Sequence, residues 1–564
     1  MKQKQYELVL NIAELLKLHF NMKVHPFLAL VLFIWSCNPR HGSDLETALG
    51  SINEKDLTKH VSVLAADSLE GRKPFSRGEE RTVNYLAGEF RRMGLEPAFG
   101  DSYFQDVKMV EVVDRMEEPA VIRSGNRIIR FNFPDEIAVS SRKLEDRVIV
   151  SNSEMVFAGF GIVAPEYGWD DYKDLDVRGK TVVVMVNDPG LYTSNIDLFK
   201  GNTMTYYGRW TYKFEEAERQ GAEGIVIIHE TLGAGYPYDI PRKSSLTSNF
   251  YLDDNSSENS HLKYQGWISA SAAETLFNTY GIKVDSLRLK ACEMGFKGFP
   301  LNASISLEIS ASWEFNTSRN VAAVLEGSLH PEESIIYTAH WDHFGIGEAE
   351  DGDSIYNGAV DNGTSLAWML EIAEAFSRLT EKPERSLVFM APTAEEQGLL
   401  GSTWYTLDPA LPVEKTLACI NNDMLLPIGR MKDVMVTGYG QSELDQLVAS
   451  VAEKQDRYIL PDPDSHTGMY FRSDHFSFAI KGVPSLFVRG NCDSREHGKE
   501  WAEMQEDDYI RNRYHRPADN YDPETWNFSG IVEDAKMAFE IGFMLTRATE
   551  FPGWSENSEF RNNR

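Results

Sequence analysis

Cysteine is scarce in this chain: four residues in 564, at Cys37, Cys292, Cys419 and Cys492. Spread so widely, they form no Cys-x-x-Cys metal pair and no disulfide framework, and the last three allow one disulfide at most. Basic charge is also in short supply, with 56 Lys and Arg against 86 Asp and Glu and a net charge of -30. Nucleic acid needs clustered Lys and Arg, so that partner is excluded. The acidity itself speaks mainly for solubility. Repeats and low-complexity tracts are missing. The apolar stretch Phe27–Trp35 has nine residues, too short for a permanent membrane span of about 20.

That stretch follows Lys23 and fits the apolar core of a secretory signal. It runs into Ile34-Trp35-Ser36-Cys37, which resembles a bacterial lipobox with a small residue before the cysteine. The expected fate is cleavage before Cys37 and lipid attachment to its sulfur. Residues 1–37 are therefore read as a leader, with Met22 as the true start and 1–21 as an upstream extension. The expected location is the bacterial periplasm or the outer membrane and cell surface, with membrane contact only through that lipid.

At this length two or three domains are expected. Glu79–Met93 has helical spacing of Val83, Leu86 and Phe90 and is closed by Gly94. Residues 115–303 are rich in strand signals at Met155–Val163, Thr181–Val186 and Gly224–His229, with a helix pattern at Tyr212–Arg219. They read as a smaller α/β or β-rich domain inserted between 38–114 and 304–550, with 551–564 as a tail. After residue 318 the alternation is clearer. Strands are expected at Val321–Leu325, Ser334–Thr338, Ser386–Met390, Leu417–Ile420 and Val483–Val488, and helices at Ser365–Leu379, Leu444–Lys454 and Val532–Leu545. Such alternation implies a mixed, mostly parallel sheet between two helical layers, a three-layer α/β/α sandwich.

Ligands of such sheets bind outside the carboxyl ends of the strands. His340 ends the strand IIYTAH, Glu395 and Glu396 follow SLVFMAPTA, and Asp423 closes LACINND. Asp361 lies in the loop Asn357–Gly363 just before a helix, and His515 follows the last apolar strand. Each is commonplace alone: a Glu-Glu pair is usually a solvated face, and an aspartate in a Gly/Asn loop is usually a turn or cap residue. Together they offer the nitrogen and carboxylate donors of two zinc ions. Cobalt or manganese also suits such a set. Ions about 3.5–4 Å apart need a shared carboxylate, and Asp361 is placed to bridge. One ion then takes His340 and Asp423, the other Glu396 and His515. Glu395 is left as general base toward water, and Asp342 is placed to orient the His340 imidazole.

The stretches AHWDHFG, NGAVDNGTS, TAEEQGLLGS, INNDM, FRSDHFSFAIKGVPSLF and YHRPADN resemble the di-zinc exopeptidases of metallopeptidase family 28. That family includes bacterial aminopeptidases, glutamate carboxypeptidases and glutaminyl cyclases. The resemblance implies the zinc exopeptidase fold, peptide substrates, His340, Asp361, Glu396, Asp423 and His515 as ligands, Glu395 as base and Asp342 behind His340. It also implies a cis peptide at Asp361-Asn362. LAADSLEGR looks like the start of the same domain, and 115–303 is similar to a protease-associated insert. Ser365 departs from the usual glycine without touching a ligand. The expected activity is removal of N-terminal residues from peptides. The alternatives are a carboxypeptidase, for which Arg472 or Arg489 would hold a C-terminal carboxylate, a glutaminyl cyclase, and a non-catalytic binding protein. His343 and His475 are expected in packing or orienting roles. The Tyr206-Tyr207-Trp210-Tyr212 cluster is expected to pack domains together, and His466 and Tyr470 to border the cleft.

Overall fold

The central strands are apolar runs with no alternation, because both faces of their sheet are covered. Arg385–Ala391, Thr416–Asn421 and Ser485–Arg489 are buried at every position, as expected of strands between two helical layers. The structure, a computed structural model, describes residues 40–193, 195–253 and 262–563. The leader and Cys37 lie outside the described residues. Contacts divide the chain into residues 1–47 and a unit Ala48–Arg564 that holds everything below.

The main sheet runs Phe104–Arg115, Phe299–Leu325, Arg385–Ala391, His330–Thr338, Thr416–Asn421, Ser485–Arg489, Asp433–Thr437, Tyr458–Pro461. Its middle is parallel and its flanks are antiparallel. Register puts Tyr337 beside Phe389, and Ile336 beside Val388 and Cys419. Since successive side chains alternate faces, Tyr337 and Phe389 meet Trp368 and Phe376 of the helix Ser365–Ser377. Phe539 of the helix Ser529–Thr546 packs on Phe376 at 4.3 Å. Ile336, Val388 and Cys419 meet Tyr405 and Phe478 on the other side. Gly542 permits the closest of these contacts: a Cβ there would sit 1.8 Å from the Tyr337 hydroxyl, which donates to the Ala538 carbonyl.

Residues 116–309 carry two apolar clusters, on opposite faces of the parallel strands Arg147–Phe157, Thr181–Met185, Gly224–Ile228 and Tyr264–Ile268. This second sheet is continuous with the first through the 27-residue strand Phe299–Leu325. Only its last five residues read as strand from sequence; the rest is masked by serines, asparagines and glutamates on its exposed face. The expected strand Met155–Val163 instead ends at Phe157, where the Asp171 carboxylate gathers the N–H groups of Phe160 and Ile162, both at 3.0 Å, into a turn. The charged segment before His515 is a helix, Lys499–Asn512, with only Ala502 and Tyr509 buried.

Candidate metal centre

The residues singled out from sequence converge on one rim of the main sheet. His340 follows the strand His330–Thr338, Glu395 and Glu396 follow Arg385–Ala391, and Asp423 follows Thr416–Asn421. The backbone is forced at three of these places, with left-handed φ at Ala394 (53°), Met424 (54°) and His515 (56°). Such conformations cost roughly 1–3 kcal/mol each and gather where function over-determines the chain.

Asp361 sits at the centre. His340 Nε2 lies 3.4 Å from its Oδ1, and His515 Nε2 lies 3.3 Å from its Oδ2. Asp423 Oδ1 is 3.4 Å from the same nitrogen of His340, and Glu396 Oε2 is 3.2 Å from that of His515. These spacings exceed the roughly 2.7–2.9 Å of a charge-assisted hydrogen bond. They equal the edge, about 3.3 Å, of a tetrahedron of donors around a divalent metal with bonds of about 2.0–2.1 Å. His515 Nε2 is buried and has no hydrogen-bond partner. Two histidines and three carboxylates on these edges fit two cations sharing Asp361.

His343 competes for the second position, because its donor atoms group with those of Asp361 and Glu396 within 4.8 Å, as those of His340, Glu395 and Asp423 do. Distance decides against it. His343 Nδ1 is 2.7 Å from Glu396 Oε1, an ordinary hydrogen bond that turns Oε2 toward His515.

The loop carrying Asp361 is tied down from three sides. Gly358 is left-handed, and a Cβ there would lie 2.1 Å from the Asp361 carbonyl oxygen. The Asp519 carboxylate accepts the N–H groups of Val360 at 3.0 Å and Asp361 at 3.1 Å. The buried Arg72 guanidinium donates to the carbonyls of Trp341, Leu64, Asn357, Gly358 and Asp361. The Asp361-Asn362 peptide is cis. Asp342, fully buried, offers its carbonyl oxygen to His340 Nδ1 at 3.2 Å.

Charge accounts for the titration of the group. Burial would lower the His340 and His515 imidazoles, but Glu395 and Asp423 around the first, and Glu396 and Asp361 around the second, hold both above their ordinary value, His515 at about 10. Burial would raise Glu396, yet His515 and His343 hold it at about 2. Glu395 goes the other way: burial, then Asp423 and Glu396, push it well above the usual carboxylate range against the pull of His340. In the protein alone the site thus pairs two protonated histidines with the ionised Asp361 and Glu396, while Glu395 resists ionisation. A divalent cation would replace those protons.

Residues 320–539 match Peptidase family M28. The chain carries a peptidase family M28 domain. Mouse Aminopeptidase NAALADL1 is 33% identical over 131 residues, 22% of this chain and 16% of the mouse protein. Chicken Transferrin receptor protein 1 is 27% identical over 365 residues, 58% of this chain and 40% of that one. This chain therefore spans less than half the length of either relative. Among solved structures, an aminopeptidase from Aneurinibacillus sp. strain AM-1 superposes with a TM-score of 0.46 at 16% identity, covering 90% of this chain and 97% of that one.

Within the M28 domain, other residues marked from sequence have plain structural places. Arg489 donates to the carbonyls of Asp423 at 2.7 Å and Met424 at 3.4 Å, so it supports the Asp423 loop. Tyr470 is packed among Phe471, Phe560 and His475. Tyr206 packs on Phe471 and Phe476, joining the 116–309 region to the M28 domain, and on Phe560 beyond it. Sequence reasoning assigned no role to Arg72, Asp519 or Tyr514, though all lie in recognised stretches. The Tyr514 ring stacks on His515 with centroids 3.7 Å apart. Burial, then the carboxylates of Asp361, Glu396, Asp423 and Glu395, holds its hydroxyl well above the usual tyrosine range, so it stays neutral.

Proposed function

We propose that this protein is an exported, lipid-anchored aminopeptidase that binds two zinc ions, one through His340, Asp361 and Asp423 and the other through Asp361, Glu396 and His515. The observation that carries it is the approach of His340 and His515 to opposite oxygens of Asp361 at 3.4 and 3.3 Å. When bound, zinc acidifies water, polarises the scissile carbonyl and offers a docking point for a free α-amine. The chain's own residues do the rest. Glu395, 9% exposed, has Oε2 3.8 Å from His340 Nε2, at the mouth of the group. It takes a proton from the attacking water and returns it to the leaving amine. Asp342 positions Glu395 and His340 without reaching substrate, and the Tyr514 ring packs beside His515. The region 115–303, read as a protease-associated insert, reaches the M28 domain through Tyr206 on Phe471 and Phe476. Lipid on Cys37 would hold the whole on the periplasmic or outer face of a bacterial membrane.

The test is to incubate the metal-loaded protein with free and blocked peptides, some beginning with Gln, and to follow their masses. Stepwise loss of N-terminal residues from unblocked peptides alone supports the reading. Loss from the C-terminus of blocked peptides would make it a carboxypeptidase, and ammonia loss from Gln peptides a cyclase. Metal analysis should return two zinc ions per chain. Palmitate labelling that disappears in Cys37→Ala tests the anchor.

A further inference from the structure

Asp361 and Asp423 approach His340 from two different loops, and one side chain ties those loops together. Asn362, the residue after Asp361, is fully buried. Its Nδ2 donates to the Asn422 carbonyl at 3.4 Å, and its Oδ1 accepts the Met424 N–H at 3.3 Å. The amide therefore grips the main chain immediately before and immediately after Asp423. A carbonyl and an N–H are held at once only by a group that both donates and accepts. A primary amide does so from one plane, whereas an ionised carboxylate only accepts.

Both ends of this tie are anchored. On one side Asp519 holds the N–H groups of Val360 and Asp361, and the Ser365 N–H at the start of the helix Ser365–Ser377 donates to the Asn362 carbonyl. On the other side the Asp423 N–H donates to Asn422 Oδ1 at 3.2 Å, and Arg489 takes the Asp423 carbonyl. Asn422 is fixed in turn, its N–H on the Thr338 carbonyl at 3.2 Å and its Nδ2 on the Val488 carbonyl at 3.0 Å. The polar groups of Asp423's own main chain are thus occupied, and Asn362 takes those of its two neighbours. Met424 is left-handed, with φ 54°, a conformation that persists where the surroundings over-determine it. The Asn362 oxygen on its N–H is one such constraint.

We infer that Asn362 is a positioning residue whose amide fixes Asp423 relative to Asp361 and so sets the affinity of the first cation, the one assigned to His340, Asp361 and Asp423. The inference rests on the two-cation reading above. Asp361 Oδ1 and Asp423 Oδ1 each lie 3.4 Å from His340 Nε2, and ligand distances to a bound metal tolerate only about 0.2 Å of drift. A loop free to move by more than that would lose its ligand. The second cation is independent of the tie. Glu396 and His515 lie on other segments, and Asp361 keeps its own supports in Asp519 and Arg72.

Stepwise zinc titration of the metal-stripped protein against a chromophoric chelator reads both affinities without any peptide being cut. In Asn362→Ala one affinity should fall by roughly 10–100-fold, the usual effect of losing a group that orients a ligand, while the other stays as in the parent. Placed in His515→Ala, which keeps the first cation alone, the same substitution should weaken that remaining cation by the same factor, and this identifies the position. Asn362→Asp keeps an oxygen for the Met424 N–H and loses only the donor to Asn422. It guards against a folding defect in the alanine variant, and the same single affinity should fall in it by a smaller factor. An amide that merely satisfies two buried main-chain groups would move both affinities together or neither. Parent-like binding of both cations, or an equal fall in both, therefore overturns the inference, read in Asn362→Ala or, if that variant does not fold, in Asn362→Asp. Should the parent protein take up a single cation, the two-cation reading fails. The inference then stands if Asn362→Ala weakens that cation and falls if it does not.

Discussion

The Asp342 carboxylate accepts the main-chain N–H of Glu395 at 3.0 Å. It also reaches that of Glu396 at 3.4 Å, while the Asp342 carbonyl faces His340 Nδ1. One buried residue therefore sets the direction of a candidate ligand on one strand and of the candidate base on the next.

Glu395→Gln removes the base and leaves every candidate ligand in place. The expected result is unchanged metal content with a rate lower by ~10²–10⁴-fold. Asp342→Asn should instead weaken both metal retention and turnover by roughly 10–100-fold, the usual effect of a group that orients a ligand. Metal analysis after dialysis, read beside kcat, distinguishes the two. Equal turnover in Glu395→Gln and the parent protein would sink the assignment of the base.

The choice between His515 and His343 as second-cation ligand is open to direct measurement. His515→Ala should leave one firmly held metal per chain, and Asp361→Ala should leave none, because that carboxylate serves both positions. His343→Ala should keep two while slowing turnover, since it releases only the hydrogen bond at Glu396 Oε1. Retention of two metals in His515→Ala, with loss of one in His343→Ala, would reverse the roles.

Much of this was legible in the sequence, and for a physical reason. Parallel strands buried on both faces read as apolar runs, and ligands cluster at their carboxyl ends, so His340, Glu395, Glu396 and Asp423 could be placed on one rim before any coordinates. Arg72 was not legible in this way. It binds five carbonyl oxygens, and main-chain acceptors leave no mark in a sequence. Asp519 is similar, since its partners are mostly N–H groups of a loop about 160 positions earlier. The long strand Phe299–Leu325 was hidden by its polar outer face, and the helix Lys499–Asn512 by having almost no inner one.

Arg72 gives a stability prediction. Burial lowers its pKa to about 10, opposed by Asp361, Asp519, Asp342 and Glu396, so it stays charged at neutral pH. Arg72→Met leaves the carbonyls of two site loops without donors and the nearby carboxylates without their buried counter-charge. The expected loss is ~3–5 kcal/mol, as for removal of one partner of a buried charged group, together with weaker metal retention. Arg72→Lys should recover little, because an ammonium cannot span acceptors arranged around a planar fork. Denaturant unfolding of the metal-free protein measures the first effect, and wild-type stability in either variant would refute it.

The last prediction concerns acid. His475 is fully buried between Tyr470 and Phe487, its Nε2 has no partner, and burial lowers its pKa to about 3. In the unfolded chain the same imidazole titrates near 6.5. The unfolded state therefore binds a proton that the folded state refuses, and stability falls as pH drops from about 6.5 toward about 3. At pH 5 the loss from this one group is about 2 kcal/mol relative to neutral pH, and near pH 3 it approaches about 4–5 kcal/mol. His475→Phe keeps an aromatic ring against Tyr470 and Phe487 and abolishes the titration. The difference in stability between variant and parent should then shift in the variant's favour by about 2 kcal/mol between pH 7 and pH 5. Urea midpoints of the metal-stripped proteins give that difference, with proton uptake by His340 and His515 common to both. Parallel curves would mean that His475 gains a partner for its proton in the native state.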